Sequence, residues 1–438
     1  MIQIMLVQFR SISIFVALAL NVWSCLASPI QVDLSAKVDA VDPQVIAWRR
    51  HIHQQPELSY QEVKTAAFVV DQLKKMGGFD IQTGLGNTGV KAVLRGGLPG
   101  PVIALRADMD ALPVEERNEL PYRSKVKAIW QGKETPVMHA CGHDAHVAML
   151  LGAAQILSDL RANLAGTVVF LFQPAEEWGT VNGVPSGGPA MVADGAMDNP
   201  KVEAVFGQHI NAQAPGGGIS YRKGGAMASG DSFTITVKGS GGHGAQPWAT
   251  KDPIVTAAQI VNNMQSVVSR QVNLATGAAV LTVGQISGGN RFNIIPETAT
   301  IAGTIRALDE PTRVLLHHSL SRMATHTAEA SGLAADVLIE HGYQVLRNEP
   351  VLAEKMVGAL ESAAGQGMVR EGLPSMASED FGAFATRAPG FFWFLNASEN
   401  ADKAGAPNHS PLFRIDEKFM KVGVRALVNV TLEYFGQR

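Results

Sequence analysis

The amino-acid sequence predicts an α/β protein of two domains: a larger sheet covered by helices on both faces, and a smaller βαββαβ unit of ferredoxin-like order inserted into it. Three observations carry this. The chain has 438 residues, more than one hydrophobic core usually supports. Apolar, β-branched runs alternate with helical patterns, as in an open sheet covered on both sides. The texture then changes near residue 220 to period-two alternation and returns to the first kind near Pro350. Composition removes other classes. Only 17% of residues are charged, against roughly 25% in average globular chains, which argues against disorder and coiled coil. The net charge is −3 with no basic block, so no nucleic-acid partner is expected.

Taken in order, Arg10 precedes an apolar run over 12–23 and the small residues Ser24-Cys-Leu-Ala-Ser28. This reads as an export signal over 1–27, with a periplasmic or secreted product. The run of about 12 residues falls short of the ~20 a membrane helix needs, so no stable span is expected. Lipid attachment at Cys25 is the alternative, with bulky Trp23 against it. Loss of the signal leaves Cys141 as the one cysteine, a lone thiol that needs an occupant in an oxidising compartment. Residues 28–220 form the first part of the larger domain. Helices are expected there at 63–76 and 147–157, and buried parallel strands at 102–106, 167–172 and 204–206. The inserted unit, 221–344, has strands at 232–237, 279–286, 298–305 and 335–340 and helices at 253–269 and 311–331. Its alternation implies a sheet with one open face. Residues 345–438 return to the larger domain with helices at 351–364 and 419–435 and a strand at 391–395.

The first three buried strands run into Ala107-Asp-Met-Asp110, Gln173-Pro-Ala-Glu-Glu177 and Gly207-Gln-His209. Ligands collect outside the carboxyl ends of such strands. The densest cluster is Met138-His-Ala-Cys-Gly-His-Asp-Ala-His146, whose thiol and imidazoles suit zinc and similar ions. The bland reading is a helix N-terminus with Asp144 near the cap and His146 facing solvent. Glu176-Glu177 could divide into one metal ligand and one general base, the pairing that metal-assisted hydrolysis needs; alone, it would be a solvated turn. His209 alone reads as a core histidine, and His409 as an exposed loop histidine.

These pieces together resemble the M20 metallopeptidase superfamily, and within it the amidohydrolase branch of hippurate hydrolases, N-acyl-amino-acid amidohydrolases and plant auxin-conjugate hydrolases. The resemblance also rests on His53-Gln-Gln-Pro-Glu-Leu-Ser-Tyr-Gln-Glu62, Leu105-Arg-Ala-Asp-Met-Asp-Ala-Leu-Pro113, Gly241-Gly-His-Gly-Ala-Gln-Pro247, Phe292-Asn-Ile-Ile-Pro296, Ser378-Glu-Asp-Phe-Gly382 and Asn408-His-Ser-Pro411. It implies a zinc-peptidase-like catalytic domain with an inserted lid that makes a homodimer. It implies two divalent ions per subunit, zinc or manganese, with cobalt and nickel as further candidates. The implied ligands are Cys141, His143, Glu177, His209 and His409. Glu176 is the implied base, with Asp110 counted beside it as catalytic, and Asp108 and Asp110 would hold a ligand histidine or the partner of the bridging water. A bridging Cys141 would give each ion three protein ligands and leave open positions for catalysis. His243 resembles a histidine that reaches the partner's site, while Asn293 and Arg306 look like contacts for the substrate carboxylate or carbonyl. His51, His53, His317, His318, His326 and His341 are left as structural or solvated.

The implied reaction is attack of a metal-bridging hydroxide on the amide of an N-acyl amino acid. Alternatives are an aminoacylase or carboxypeptidase acting on short peptides, a Cys141 thiol hydrolase and a non-catalytic acyl-amino-acid binder. The stretch Trp178-Gly-Thr-Val-Asn-Gly-Val-Pro-Ser186 departs from the glycine-rich continuation expected there, which leaves substrate preference open.

Overall fold

The structure is a computed structural model that describes residues 33–438 except 182, 276 and 400–403. The expected export signal lies outside the described residues. Helices α1 (Leu34–Gln54) and α2 (Val63–Met76) lead into a hairpin, β1 (Phe79–Leu85) and β2 (Gly89–Arg95). Then come β3 (Leu98–Asp108), α3 (His143–Asp159), β4 (Ala165–Gln173), β5 (Ala204–Pro215) and β6 (Ile219–Tyr221). Next are β7 (Gly230–Lys238), α4 (Pro253–Gln271), β8 (Ala279–Gly288), β9 (Thr298–Ala307), α5 (Glu310–Ala330) and β10 (Ala334–Tyr343). The chain closes with α6 (Pro350–Ala364), β11 (Val369–Glu371), β12 (Gly390–Ser398) and α7 (Met420–Tyr434).

The eight-stranded sheet has the order β1-β2-β4-β3-β5-β12-β6-β11. Its four central strands are the four apolar runs of the sequence, and they pair parallel. β4 and β12 are buried along almost their whole length, and β3 and β5 over 103–108 and 204–208, because helices cover both faces, which is why these stretches read as continuous apolar runs. Helix α3 is buried around most of its circumference, as a helix between a sheet and an outer helical layer must be.

Segment 230–343 makes a separate four-stranded antiparallel sheet, β8-β9-β7-β10. Its inner face packs Phe233, Ile235, Ile301 and Ile305 against Ile260, Met264, Leu316 and Leu320 of the two helices. The other face is open, with Val280 and Leu338 exposed. In chain order this unit falls between strands of the larger sheet. No described helix is long and apolar enough to cross a membrane.

One strand differs from expectation in a way that makes the site. β5 does not stop at 206 but runs on to Pro215, so His209 lies within the strand, opposite Phe394 of β12. β3 pairs with β5 only as far as Arg106↔Gly207. Beyond that point β5 has lost one neighbour, and at the carboxyl end of β3 it carries the half-buried His209 between buried Gln208 and Ile210.

Candidate metal centre

The cysteine and the first histidine are aimed by the glycine between them. Gly142 is left-handed at φ +94°, and a Cβ there would lie 2.3 Å from Ile210 Cγ2. α3 begins at the next residue, earlier than expected, with His143 in its first turn. Asp110 Oδ1 lies 3.2 Å from His143 Nδ1, which leaves Nε2 as the free nitrogen. That atom is buried and has no partner. Asp110 Oδ2 accepts from Ser59 Oγ at 2.6 Å and from the Glu177 N–H at 3.0 Å, so this one carboxylate fixes both His143 and the glutamate turn. Asp108 instead holds His146 Nδ1 at 2.6 Å. His146 Nε2 accepts from the Ile210 N–H at 2.9 Å. His146 is therefore buried and used on both nitrogens, not facing solvent. It props the strand that carries His209.

Glu176 and Glu177 follow a left-handed residue, Ala175, at φ +49°. A non-glycine residue in that region costs roughly 1–2 kcal/mol. The turn is held by buried Glu62, whose Oε1 accepts the Ala175 N–H at 2.8 Å. From the smaller sheet, Tyr343 donates its hydroxyl to the Glu176 carbonyl at 2.7 Å. Burial, then the charges of Glu379 and Glu177, push the Glu176 carboxyl well above its ordinary value, the direction a general base at neutral pH requires. After Glu177 the chain departs into an aromatic corner, where Trp178 meets Tyr60 and Trp130 edge-on.

His209 Nδ1 lies 2.8 Å from the Ile210 carbonyl oxygen, which turns Nε2 toward Cys141 Sγ at 3.3 Å. Asn408 also approaches that sulfur, at 3.3 Å through Nδ2. His409, left-handed at φ +67°, brings Nε2 to 2.9 Å from Glu177 Oε1. That oxygen nonetheless has no hydrogen bond of acceptable geometry, as expected for two donors aimed at a common third atom. Cys141, His143 and His209 form one group of donors, and Cys141, Glu177 and His409 a second, each with atoms within 4.8 Å of one another. The structure thus brings together all five sequence-predicted ligands and Glu176. All of them but the deeper-lying His143 line a cavity of about 440 Å³ with Ile210, Met227, Leu373 and Phe394 on its apolar side.

The profile of peptidase family M20/M25/M40 matches residues 104–433. The chain belongs to this family. It is 42% identical over 316 residues to the N-acyl-L-amino acid amidohydrolase of Geobacillus stearothermophilus, covering 72% of this chain and 81% of that one. It is 38% identical over 403 residues to thermostable carboxypeptidase 2 of Saccharolobus solfataricus, covering 92% and 98%. Among solved structures, the Bacillus subtilis YXEP protein, described as a dinuclear metal-binding peptidase of the M20 family, superposes with a TM-score of 0.76. It is 31% identical, with 90% of this chain and 98% of that chain covered. This M20 chain is accordingly a metal-dependent hydrolase of amide bonds.

The donor set fits a divalent ion. An unpartnered buried imidazole nitrogen costs about 1–3 kcal/mol, and His143 Nε2 has no other answer in the fold. Burial and the Glu177 charge push the Cys141 thiol up to about 12. That is opposite to what a thiol hydrolase needs, whereas a coordinated thiol is deprotonated outright.

The M20 site also uses residues the sequence did not single out. Beneath it lies Arg106, fully buried, which donates to Asp108 Oδ2 at 2.6 Å, to Glu379 Oε1 and Asp380 Oδ1 at 2.9 Å each, and to Gln173 Oε1 at 2.7 Å. Arg306 projects from β9 and donates to Ser378 Oγ, which lines the cavity. His243 and Asn293 sit elsewhere. They are joined by the short pairing His243↔Ile294 and by Gly244 N–H to Asn293 O at 2.9 Å. Neither lines the cavity of their own chain, His243 is exposed, and the neighbouring Trp248 and Phe292 are 81% and 98% exposed. Of the remaining histidines, His53 is structural, lying between Asp144 at 2.8 Å and Glu116 at 3.2 Å.

Proposed function

We propose that this M20 enzyme hydrolyses N-acyl amino acids with two divalent ions per subunit, zinc or manganese before cobalt or nickel. The observation that carries the reading is that Cys141 belongs to both donor groups, one with His143 and His209 and one with Glu177 and His409, and these residues would hold the ions. Bound divalent ions supply Lewis acidity to the scissile carbonyl and to the attacking water. Glu176 takes one proton from that water and delivers it to the amide nitrogen. The C–O bond forms, the C–N bond breaks, and carboxylate and amine leave. Asp110 keeps His143 in one tautomer by accepting its Nδ1–H. Arg306, at the cavity edge through Ser378, receives the free carboxylate of the amino acid, and Ile210, Met227, Leu373 and Phe394 face the acyl group.

His243 and Asn293 serve the site of a partner in a homodimer made through the 230–343 unit. Their placement away from the cavity of their own chain, on an exposed apolar tip, supports that reading. An exported, periplasmic or secreted enzyme is the corresponding cellular setting, from the sequence of 1–27.

The test pairs metal analysis with a substrate screen. N-acetyl-, N-benzoyl- and N-indolylacetyl-amino acids should be cleaved faster than matched dipeptides, and activity should vanish in chelator and return with metal. Glu176→Gln should keep its metal while losing ~10² to 10⁴ in turnover. Activity that survives chelation but not alkylation would replace this reading with the thiol hydrolase, and preference for dipeptides would replace it with the carboxypeptidase named among the relatives.

A further inference from the structure

Glu379 is not a metal donor in either group above, yet it lines the same cavity as Glu176 and Glu177. It is almost wholly buried. Its Oε1 is fixed twice, by Arg106 Nη2 and by the Phe381 N–H, both at 2.9 Å. Its Oε2 makes no hydrogen bond with any described residue. The Arg106 cation already meets Asp108 and Asp380, so Glu379 is a surplus carboxylate beside a charge that is more than balanced. Burial pushes its carboxyl up to about 7, which records the same unfavourable position. A rigidly held carboxylate in the wall of the cavity, with one oxygen not taken by the protein's own donors, is placed to accept from a donor that enters.

The adjacent residue narrows what that donor is. Ser378 holds Arg306, the group assigned above to the substrate carboxylate. In an amino acid the carboxylate and the nitrogen hang from the same carbon. A carboxylate anchor at 378 therefore brings the amide nitrogen within reach of 379. An N-acyl amino acid has one donor in that region, its N–H; the acyl carbonyl and the carboxylate only accept.

We propose that Glu379 accepts the hydrogen bond of the scissile amide N–H and then holds the ammonium of the departing amino acid. This rests on the reading of the substrate as an N-acyl amino acid. It gives the enzyme a means of telling an amide from an ester, because an O-acyl 2-hydroxy acid has the same carboxylate and acyl group but no N–H.

The experiment compares matched N-acyl amino acids and O-acyl 2-hydroxy acids on metal-replete wild type, Glu379→Gln and Glu379→Asp. The ratio of kcat/KM for amide over ester should fall about ten- to a hundredfold in Glu379→Gln, the scale of a hydrogen bond to a charged group, with metal content unchanged. Glu379→Asp keeps the charge beside Arg106 and guards against a folding failure; it should show the same selective loss, only smaller. A binding measurement independent of turnover completes the test. Wild type should bind the free amino acid more tightly than its 2-hydroxy analogue, and the variants should lose that preference. Equal losses on amide and ester with unchanged product preference would make Glu379 a counter-charge to Arg106 and overturn the proposal. A wild type that cleaves no N-acyl amino acid at all would instead overturn the substrate reading on which it rests.

Discussion

Gly142→Ala is the most direct test of how the backbone aims the metal donors. Two costs can be read from the structure. An alanine at φ +94° must accept the left-handed region, at roughly 1–2 kcal/mol. Its Cβ would also lie 2.3 Å from Ile210 Cγ2 and 3.3 Å from Phe413 Cζ, an overpacking that typically costs 1–3 kcal/mol. Together they amount to about 2–5 kcal/mol. Relief is not available without moving donors, since Ile210 is buried beside His209 and Gly142 lies between Cys141 and His143. The assay is urea unfolding of the metal-free protein, with metal per chain measured on the reconstituted one. We expect a lower midpoint and less than full metal occupancy. Ile210→Leu removes the colliding branch, so the double variant should recover the packing share of the loss while the backbone share remains. A Gly142→Ala protein with wild-type midpoint and full metal would refute the argument.

Cys141→Ser should lose metal and most activity, and Cys141→Asp, which restores an anionic group, should lose less; equal, wild-type metal content in both would remove Cys141 from the centre. His243→Ala should be nearly inactive with its metal retained, and mixing it with Glu176→Gln chains should restore activity, because one site of each mixed dimer then holds both groups. If the subunits exchange and the mixture stays inactive, the trans assignment fails. In the smaller sheet, burial opposes ionisation of Asp231, but His317 and the bidentate Arg313 outweigh it and hold the carboxyl down at about 2. Against an ordinary value near ~3.9, the stability this group contributes is complete above about pH 4 and is lost as pH falls toward 2. The stability gap between wild type and Asp231→Asn should narrow over that interval, and a gap independent of pH would count against the pairing.

The sequence was most informative where burial is two-sided or strictly alternating. The four central strands and the βαββαβ order of 230–343 were legible because their apolar positions have one period each. The hairpin β1–β2 was not, since β1 is an edge strand whose residues before Leu85 all stay at least partly exposed. Nor was α1, which buries few of its residues and carries Pro43 inside. The donors were legible as types at strand ends. Their supports were not, because Arg106, Glu62 and Tyr343 act across 273, 113 and 167 residues of chain. A buried arginine between strand residues gives no local signal of the acids it will meet.

Two bonds from the smaller sheet to the loops around the site, Tyr343 hydroxyl to Glu176 carbonyl and Arg306 to Ser378, bear on how far the protein can be treated as interchangeable parts. The smaller sheet looks like a cassette with its own core, but the last residue of its last strand fastens the turn that carries Glu176. A graft that ends before Tyr343 would import a foreign sheet and leave the recipient's clamp in place; one that includes it would import the clamp as well. Chimeras cut on either side of this single residue therefore probe different things, and only the second tests whether a donor unit can set the geometry of a site to which it gives no metal ligand.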